Sequence, residues 1–183
     1  MSTETIVRLQ ESIPDEARDI RLNLGSVLTP EGSPGLTASQ VAGTALAAAY
    51  ATRQAEVVRA LQEHASAVLN TDEMRAARSA AAIMAMTNIY YRFTHLVNDP
   101  DYSQMPARLR MSVIGSPGIE RIDFELYCLG VSTVNGCGYC VESHARKVVA
   151  GGVPKEGVQS VARIAAVVTA AAQAVQISQE GGQ

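Results

Sequence analysis

There is no tryptophan in this chain and only two phenylalanines, so aromatic residues make up 4% of its 183 positions. Side chains that favour strands by bulk are therefore scarce, and no polar–apolar alternation runs long enough to make a convincing strand. Cysteine is scarce too. Three residues are too few for the disulfide framework of a small secreted domain. Nor is positive charge in excess, since fifteen lysines and arginines stand against eighteen aspartates and glutamates for a net charge of −3. That balance gives neither the basic footprint of a nucleic-acid-binding domain nor a polybasic anchor for a membrane. No segment reaches about 18 consecutive apolar residues, and Met1-Ser2-Thr3-Glu4 does not open a basic-then-apolar leader. The expectation is a cytosolic protein whose few cysteines serve chemistry or a metal.

What the chain has in quantity is alanine, which supplies much of its 47% hydrophobic fraction. Alanine-rich, aromatic-poor composition points to close-packed helices, and the length suits a single all-α domain over residues 1–183. The punctuation agrees. A short polar helix is expected over residues 3–11, then a turn at Ile13-Pro14-Asp15-Glu16 and a helix from Ala17 to about Val27. After the breaker-dense Thr29 to Gly35, Thr37 reads as the cap of a helix from Ala38 to Thr52. Glu56 to Leu69 follows, with Val57, Leu61, Ala65 and Val68 on its inner face. Asn70-Thr71-Asp72-Glu73 opens a long helix to about Val97. Beyond Asn98-Asp99-Pro100-Asp101 the text is mixed, with one short helix near Arg108–Ile114. Glu120 to Val134 is helical again, and a last helix starts with Pro154 at its first position and runs to about Ile177, its tail from Ser178 frayed.

Between those last two helices lies the stretch with chemical content, Asn135-Gly136-Cys137-Gly138-Tyr139-Cys140-Val141-Glu142-Ser143-His144. Asn135-Gly136 ends one segment, and Gly151-Gly152 stops the helical pattern that follows, so the CxxC falls in the first turn of a helix of about residues 137–150. At 100° per residue, Cys140 lies about 300° and His144 about 340° around from Cys137, with Val141 and Val148 alongside and Tyr139 nearly opposite. Both sulfurs and the imidazole share an apolar face. Residues i and i+3 hold their Cβ atoms about 5–6 Å apart, close to what a disulfide needs. Unpaired N–H groups in a first turn favour a thiolate, burial opposes it, and His144 is the nearest base to settle the contest. Glu142, Arg146 and Lys147 read as a solvated surface pointing away from the sulfurs.

Glu125 interrupts the stripe Ile122, Leu126, Leu129 where an apolar side chain is expected. It is either a rim glutamate with its head in water or a carboxylate exchanging protons with His144 or a thiol. Cys128 reads as a small packed hydrophobe, and His64 and His95 as structural or exposed. Asn88, Tyr90, Tyr91 and Arg92 read as packing, with pocket lining as the second reading. A zinc site needs about four ligands, and the CxxC with His144 supplies three, leaving a subunit-bridging metal as the only form it would take. A thioredoxin-like use lacks its βαβ setting.

Glu125 followed by Asn135-Gly136-Cys137-x-x-Cys140-x-x-x-His144 resembles the active-site pattern of the alkyl hydroperoxidase D proteins, in the carboxymuconolactone decarboxylase-like superfamily. The likeness extends through Asp19 to Leu24, Ala82 to Phe93, Leu109-Arg110-Met111 and Pro117-Gly118-Ile119, in the same order. It implies an all-helical homotrimer, with active-site helices at about residues 118–152, that reduces hydrogen peroxide and organic hydroperoxides with no bound cofactor. In that scheme Cys140 attacks the peroxide, Cys137 resolves the product, and Glu125 with His144 relays protons. Dihydrolipoyl groups on a dehydrogenase-complex acyltransferase restore the dithiol, and a peroxiredoxin of the alkyl hydroperoxide reductase type is the second partner. One departure stands out: some members have histidine immediately before the second cysteine, where this chain has Tyr139, a poor base near neutral pH. Two other activities fit the same residues, a thiol–disulfide adaptor with little peroxidase activity and a non-redox enzyme acting on a small lactone or acid.

Overall fold

The structure is a computed structural model describing residues 2–181. Among them are ten α-helices and one 3₁₀ turn, with no strand, as the composition leads one to expect. They are α1 (Ser2–Glu11), α2 (Arg18–Val27), α3 (Ala38–Thr52), α4 (Ala55–Ser66), α5 (Thr71–Leu96), α6 (Pro100–Gln104), α7 (Ser112–Gly115), α8 (Arg121–Val134), α9 (Gly138–Ala150) and α10 (Lys155–Gly181).

The helix starts follow local chemistry. Thr37 and Gln40 close a reciprocal capping box on α3, and Asn70 with Glu73 does the same on α5, so each first turn has its orphan N–H groups paired by its own side chains. Arg53 takes the left-handed conformation (φ 63°) directly after α3 and turns the chain into α4.

At the centre lies α8. From Phe124 to Ser132 every residue is buried, with α3, α5, α9 and α10 packed around it. The approach of α3 depends on a glycine: a Cβ at Gly43 would overlap the Tyr127 ring. Phe124, Leu126 and Leu129 are each worth about 1.5–3 kcal/mol of burial in such a site. Helix α10 is long and apolar enough to cross a membrane by length and composition, but half of that window is buried inside the protein, against α2, α3 and α8, as in a core helix.

Several expectations need correcting. Val68 is 39% exposed, because α4 ends at Ser66 and Leu69 instead turns inward. The expected fraying from Ser178 does not hold over residues 178–181, and residues 182–183 lie outside the described residues. Helix α10 continues to Gly181, held by Gln179, which accepts from Gln54 (3.0 Å) and donates to Glu56 (2.9 Å). Pro154 stands just before α10 rather than in it. In the mixed stretch Asp99 caps the unforeseen α6, and the short helix near Arg108–Ile114 reduces to Ser112–Gly115.

Candidate active site at the start of α9

The geometry begins with the turn from α8 into α9. Asn135 ends α8, Gly136 adopts a left-handed φ of +67°, and Cys137 becomes the N-cap of α9. A Cβ at Gly136 would meet nothing within 4 Å, so glycine is needed there for the backbone and not for space. Cys137 Sγ accepts the Cys140 backbone N–H at 3.4 Å, the role an oxygen plays in an ordinary cap. The two cysteines are joined as a disulfide, with Cα atoms 5.3 Å apart.

Beyond the sulfurs, α9 presents Cys140, His144 and Val148 inward, one turn apart, against α8. His144 Nδ1 lies 2.5 Å from Oε2 of Glu125, which is buried at 1% exposure. Of the two readings of Glu125, the rim glutamate therefore falls. Its other oxygen, Oε1, accepts from Lys147 Nζ at 3.0 Å. Burial pushes this carboxyl up. The hydrogen bonds and positive charge of His144 and Lys147 outweigh it and hold the group below the ordinary carboxylate range. Glu125 is thus a buried anion with both oxygens engaged, and the carboxylate fixes the histidine ring with its Nδ1 edge inward.

Lys147 corrects the expectation that it belongs to a solvated surface. Its side chain is 42% exposed and its ammonium reaches down to Glu125. Sequence held the signal: Lys147 follows Cys140 by seven residues, about 280° around from Cys137 and so nearly in line with Cys140. Glu142 and Arg146 do point outward, where they pair with each other at 3.2 Å.

Sequence reasoning also missed what holds the turn. Asn88, on the inner face of α5, donates from Nδ2 to Ser132 Oγ (2.9 Å) and accepts at Oδ1 from Asn135 Nδ2 (3.0 Å). Arg92, one turn later, donates to the Asn135 carbonyl at 2.6 Å. The Cys137 N–H donates to the Ser132 carbonyl at 3.1 Å. One buried amide and one guanidinium from α5 thus fasten Asn135, two residues before the first cysteine, and the amide ties in Ser132 of α8 as well.

Cys140, Ser143, His144 and Lys147 of α9 open onto a cavity of about 180 Å³, lined opposite by Met84, Thr87 and Tyr91 of α5 and by Met111 and Ile114. Cys140 reaches this space and Cys137, fully buried, does not. Cys128 lies on α8, buried and unpaired, and burial drives its thiol far above the ordinary range. His95 is exposed on α5, and His64 lies on α4, so neither belongs to this group. Among the described residues no three His, Cys, Asp or Glu side chains converge in the manner of a metal site.

Known proteins resemble the chain along most of its length. The model of the carboxymuconolactone decarboxylase family matches residues 100–180, the part that carries α8, the CxxC turn and α9. The alkyl hydroperoxide reductase AhpD of Gluconacetobacter diazotrophicus is 51% identical over 172 residues, covering 94% of this chain and 91% of that protein. Its counterpart in Rhodospirillum centenum is 49% identical over 168 residues (92% and 89%), and that of Coxiella burnetii 47% over 164 residues (90% and 93%). A buried carboxylate–histidine pair beside a helix-capping dithiol, and identity near one half over nine-tenths of the length, lead to one assignment: the chain belongs to the AhpD family, within the carboxymuconolactone decarboxylase family.

Proposed function

We propose that the protein is an antioxidant peroxidase that reduces hydrogen peroxide and organic hydroperoxides with Cys140 and Cys137 and is recycled by dihydrolipoyl groups. One observation carries the reading. Cys140 faces a small cavity together with His144, which is backed by a carboxylate kept ionised in the interior, while Cys137 sits within bonding reach behind it.

The chemistry follows from those positions. The Cys140 thiolate attacks one oxygen of R–O–O–H, the O–O bond breaks, and Cys140 becomes a sulfenic acid while the alkoxide leaves. With Nδ1 turned to Glu125, the other ring nitrogen of His144 takes the thiol proton beforehand and returns it to the departing RO⁻ as ROH. Cys137 then attacks the Cys140 sulfur, the S–S bond forms and water departs, completing a two-electron oxidation. For the return, a dihydrolipoyl thiolate attacks the accessible sulfur, Cys140. Cys137 leaves as a thiolate held by the Cys140 N–H and the first turn of α9. The second lipoyl thiol closes the lipoyl ring and frees Cys140. Both electrons come from the lipoyl dithiol, and no bound cofactor takes part.

The donor is read as a lipoyl-bearing acyltransferase, with a peroxiredoxin of the alkyl hydroperoxide reductase type as the second partner, in the cytoplasm. Self-association as a homotrimer belongs to the same reading and is supported by an exposed apolar stripe on α5, Ile89, Phe93 and Leu96 at helical spacing.

Stopped-flow oxidation of the reduced protein by peroxide, with no partner present, tests the proposal. Fast oxidation is expected, with mass spectrometry finding a Cys137–Cys140 bond that dihydrolipoamide undoes. Slow oxidation with fast exchange onto a peroxiredoxin would instead make the protein an adaptor. Activity on a lactone that survives Cys140→Ser would make it a non-redox enzyme.

A further inference from the structure

Tyr139, immediately before the second cysteine, is 54% exposed, and its ring stacks on Tyr91 of α5 with centroids 5.5 Å apart and planes 27° from parallel. Tyr90 braces Tyr91 edge-on at 5.3 Å. On one side of the stack lies the cavity of about 180 Å³ that Cys140 faces. On the other lies a groove of about 570 Å³ between α5 and α6, lined by Tyr90, Thr94, His95, Tyr102, Ser103 and Met105 among others. Tyr91 and Tyr139 are the two residues that line both spaces. The wall between them is this pair of rings.

The sizes differ in kind. Sites for organic ligands usually measure about 300–1,000 Å³, so the groove is of that class and the inner cavity falls short of it. The lining of the groove mixes aromatic rings with polar Thr94, His95, Asn98 and Ser103, and it holds no lysine or arginine to pair with an acidic substituent. Asp99 already spends its carboxylate on the Asp101 N–H at 3.0 Å. A neutral aryl or alkyl group fits such a lining. The α5 residues of the groove lie off the stripe proposed for self-association, and the two surfaces meet where Phe93 packs edge-on against Tyr102 at 5.7 Å. Tyr90, Tyr91, Thr94 and His95 lie about 100–240° around the helix from Ile89, whereas Phe93 and Leu96 lie within about 40° of it.

We infer that the Tyr91–Tyr139 stack sets the size of hydroperoxide that reaches Cys140, and that the groove beyond it is the subsite for the organic group of bulky neutral hydroperoxides. The inference rests on the peroxidase reading for its substrate and on the two rings for its geometry. With the rings stacked, hydrogen peroxide, little larger than a water, fits within the inner cavity. A bulky hydroperoxide needs Tyr139, exposed and at the edge of a first turn, to give way so that its organic group lies across the groove. Burial, then the neighbouring Tyr139 and Tyr90 rings, push the Tyr91 phenol up, so that the Tyr91 side of the wall stays neutral.

Single-turnover oxidation of the reduced protein by cumene hydroperoxide and by hydrogen peroxide tests this. Tyr139→Ala should raise the ratio of the two rate constants about tenfold, the effect of about 1.4 kcal/mol. Adding Ser103→Trp, which fills the groove from the exposed face of α6 without touching the inner cavity, should return the ratio toward the parent value. A ratio unchanged within about twofold in Tyr139→Ala overturns the partition, and a raised ratio that survives Ser103→Trp overturns the subsite. Alkylation of the reduced dithiol by iodoacetamide and by N-phenylmaleimide supplies a readout free of peroxide chemistry, and the same substitution should favour the bulkier reagent. If alkylation shifts so while no hydroperoxide is reduced, the peroxidase reading fails and the partition stands. If alkylation does not shift, the partition falls.

Discussion

Two buried thiols on neighbouring helices, Cys128 in the middle of α8 and Cys140 in the first turn of α9, meet different physics. Both are shielded from solvent. Around Cys128 there is apolar packing and its own helix has used its N–H groups in the ladder, so burial and the Glu125 anion hold the proton on sulfur against the smaller opposing pull of Lys147. Cys140 instead follows a left-handed glycine turn, borders a cavity, and shares its face with a histidine whose far edge is tied to a carboxylate. Burial alone makes a cysteine inert. Burial at a helix start, beside a base with a fixed partner, gives the proposed nucleophile its setting.

The largest expected effect breaks this contrast outright. Cys140→Ser should lower dihydrolipoamide-dependent peroxide consumption by about 10³-fold or more, since a hydroxyl replaces the only thiol at the cavity. Cys137→Ser should instead permit one oxidation to the sulfenic acid, and with no thiol to resolve it a second equivalent of peroxide should carry Cys140 on to the sulfinic acid, visible by intact mass as two added oxygens. Turnover that survives Cys140→Ser would remove the chemical meaning of the comparison.

Next in size is Glu125→Gln. The imidazole loses its anionic partner and the proton relay its balance, for an expected loss of about 10²-fold in single-turnover rate. Stability carries a second signature. Glu125 titrates below the ordinary carboxylate range when folded, so its contribution is complete above the unfolded value near pH 4.3 and is lost as pH falls through the depressed folded value. Urea denaturation of the parent should weaken through this acidic window, and Glu125→Gln should flatten that part of the dependence. An identical pH profile in the two proteins would contradict the buried anion.

Lys147→Met sharpens the comparison further. The ammonium is partly in water, so the pair with Glu125 is worth about 1 kcal/mol or less, and the rate should fall by about fivefold or less. The direction of the pH effect is the stronger test: without the neighbouring cation Glu125 protonates more easily, so the acid limb of the pH–rate profile should move to higher pH. A limb that moves down, or stays, would mean Lys147 does not govern the carboxylate.

Legibility in the sequence followed the range of the interaction. Thr37 with Gln40 and Asn70 with Glu73 bracket their helices within four residues, and those starts could be read directly. The CxxC turn is local in the same way, from Asn135 to Cys140. Glu125 with His144, nineteen residues apart, was legible as a possibility because a carboxylate interrupted an apolar stripe. Lys147 was not, because a lysine on a helix carries the pattern of a solvated face whatever its azimuth. The fastening of Asn135 by Asn88 and Arg92 spans more than forty residues, and nothing local in either segment announces it. Asn88→Val should therefore cost about 1–3 kcal/mol in urea denaturation, since Asn135 Nδ2 loses its acceptor and Ser132 Oγ keeps only its weak bond to Met84 Sδ.

The smallest expected effect falls on the other side of the opening comparison. In Cys128→Ala the sulfur is replaced by space in a fully packed helix, and a small cavity of that kind costs about 1 kcal/mol of stability. Peroxide turnover should stay within about twofold of the parent, because Cys128 borders neither the cavity nor the sulfur pair. The parent should behave in the complementary way toward a thiol reagent. Cys140 of the reduced native protein should react through the cavity, whereas Cys128 should become modified only as the helix around it opens, in step with global unfolding. If Cys128 reacts in the native protein, or its loss slows turnover markedly, then depth in α8 does not isolate a thiol from the chemistry one helix away. The contrast would have to be drawn from something other than burial and capping.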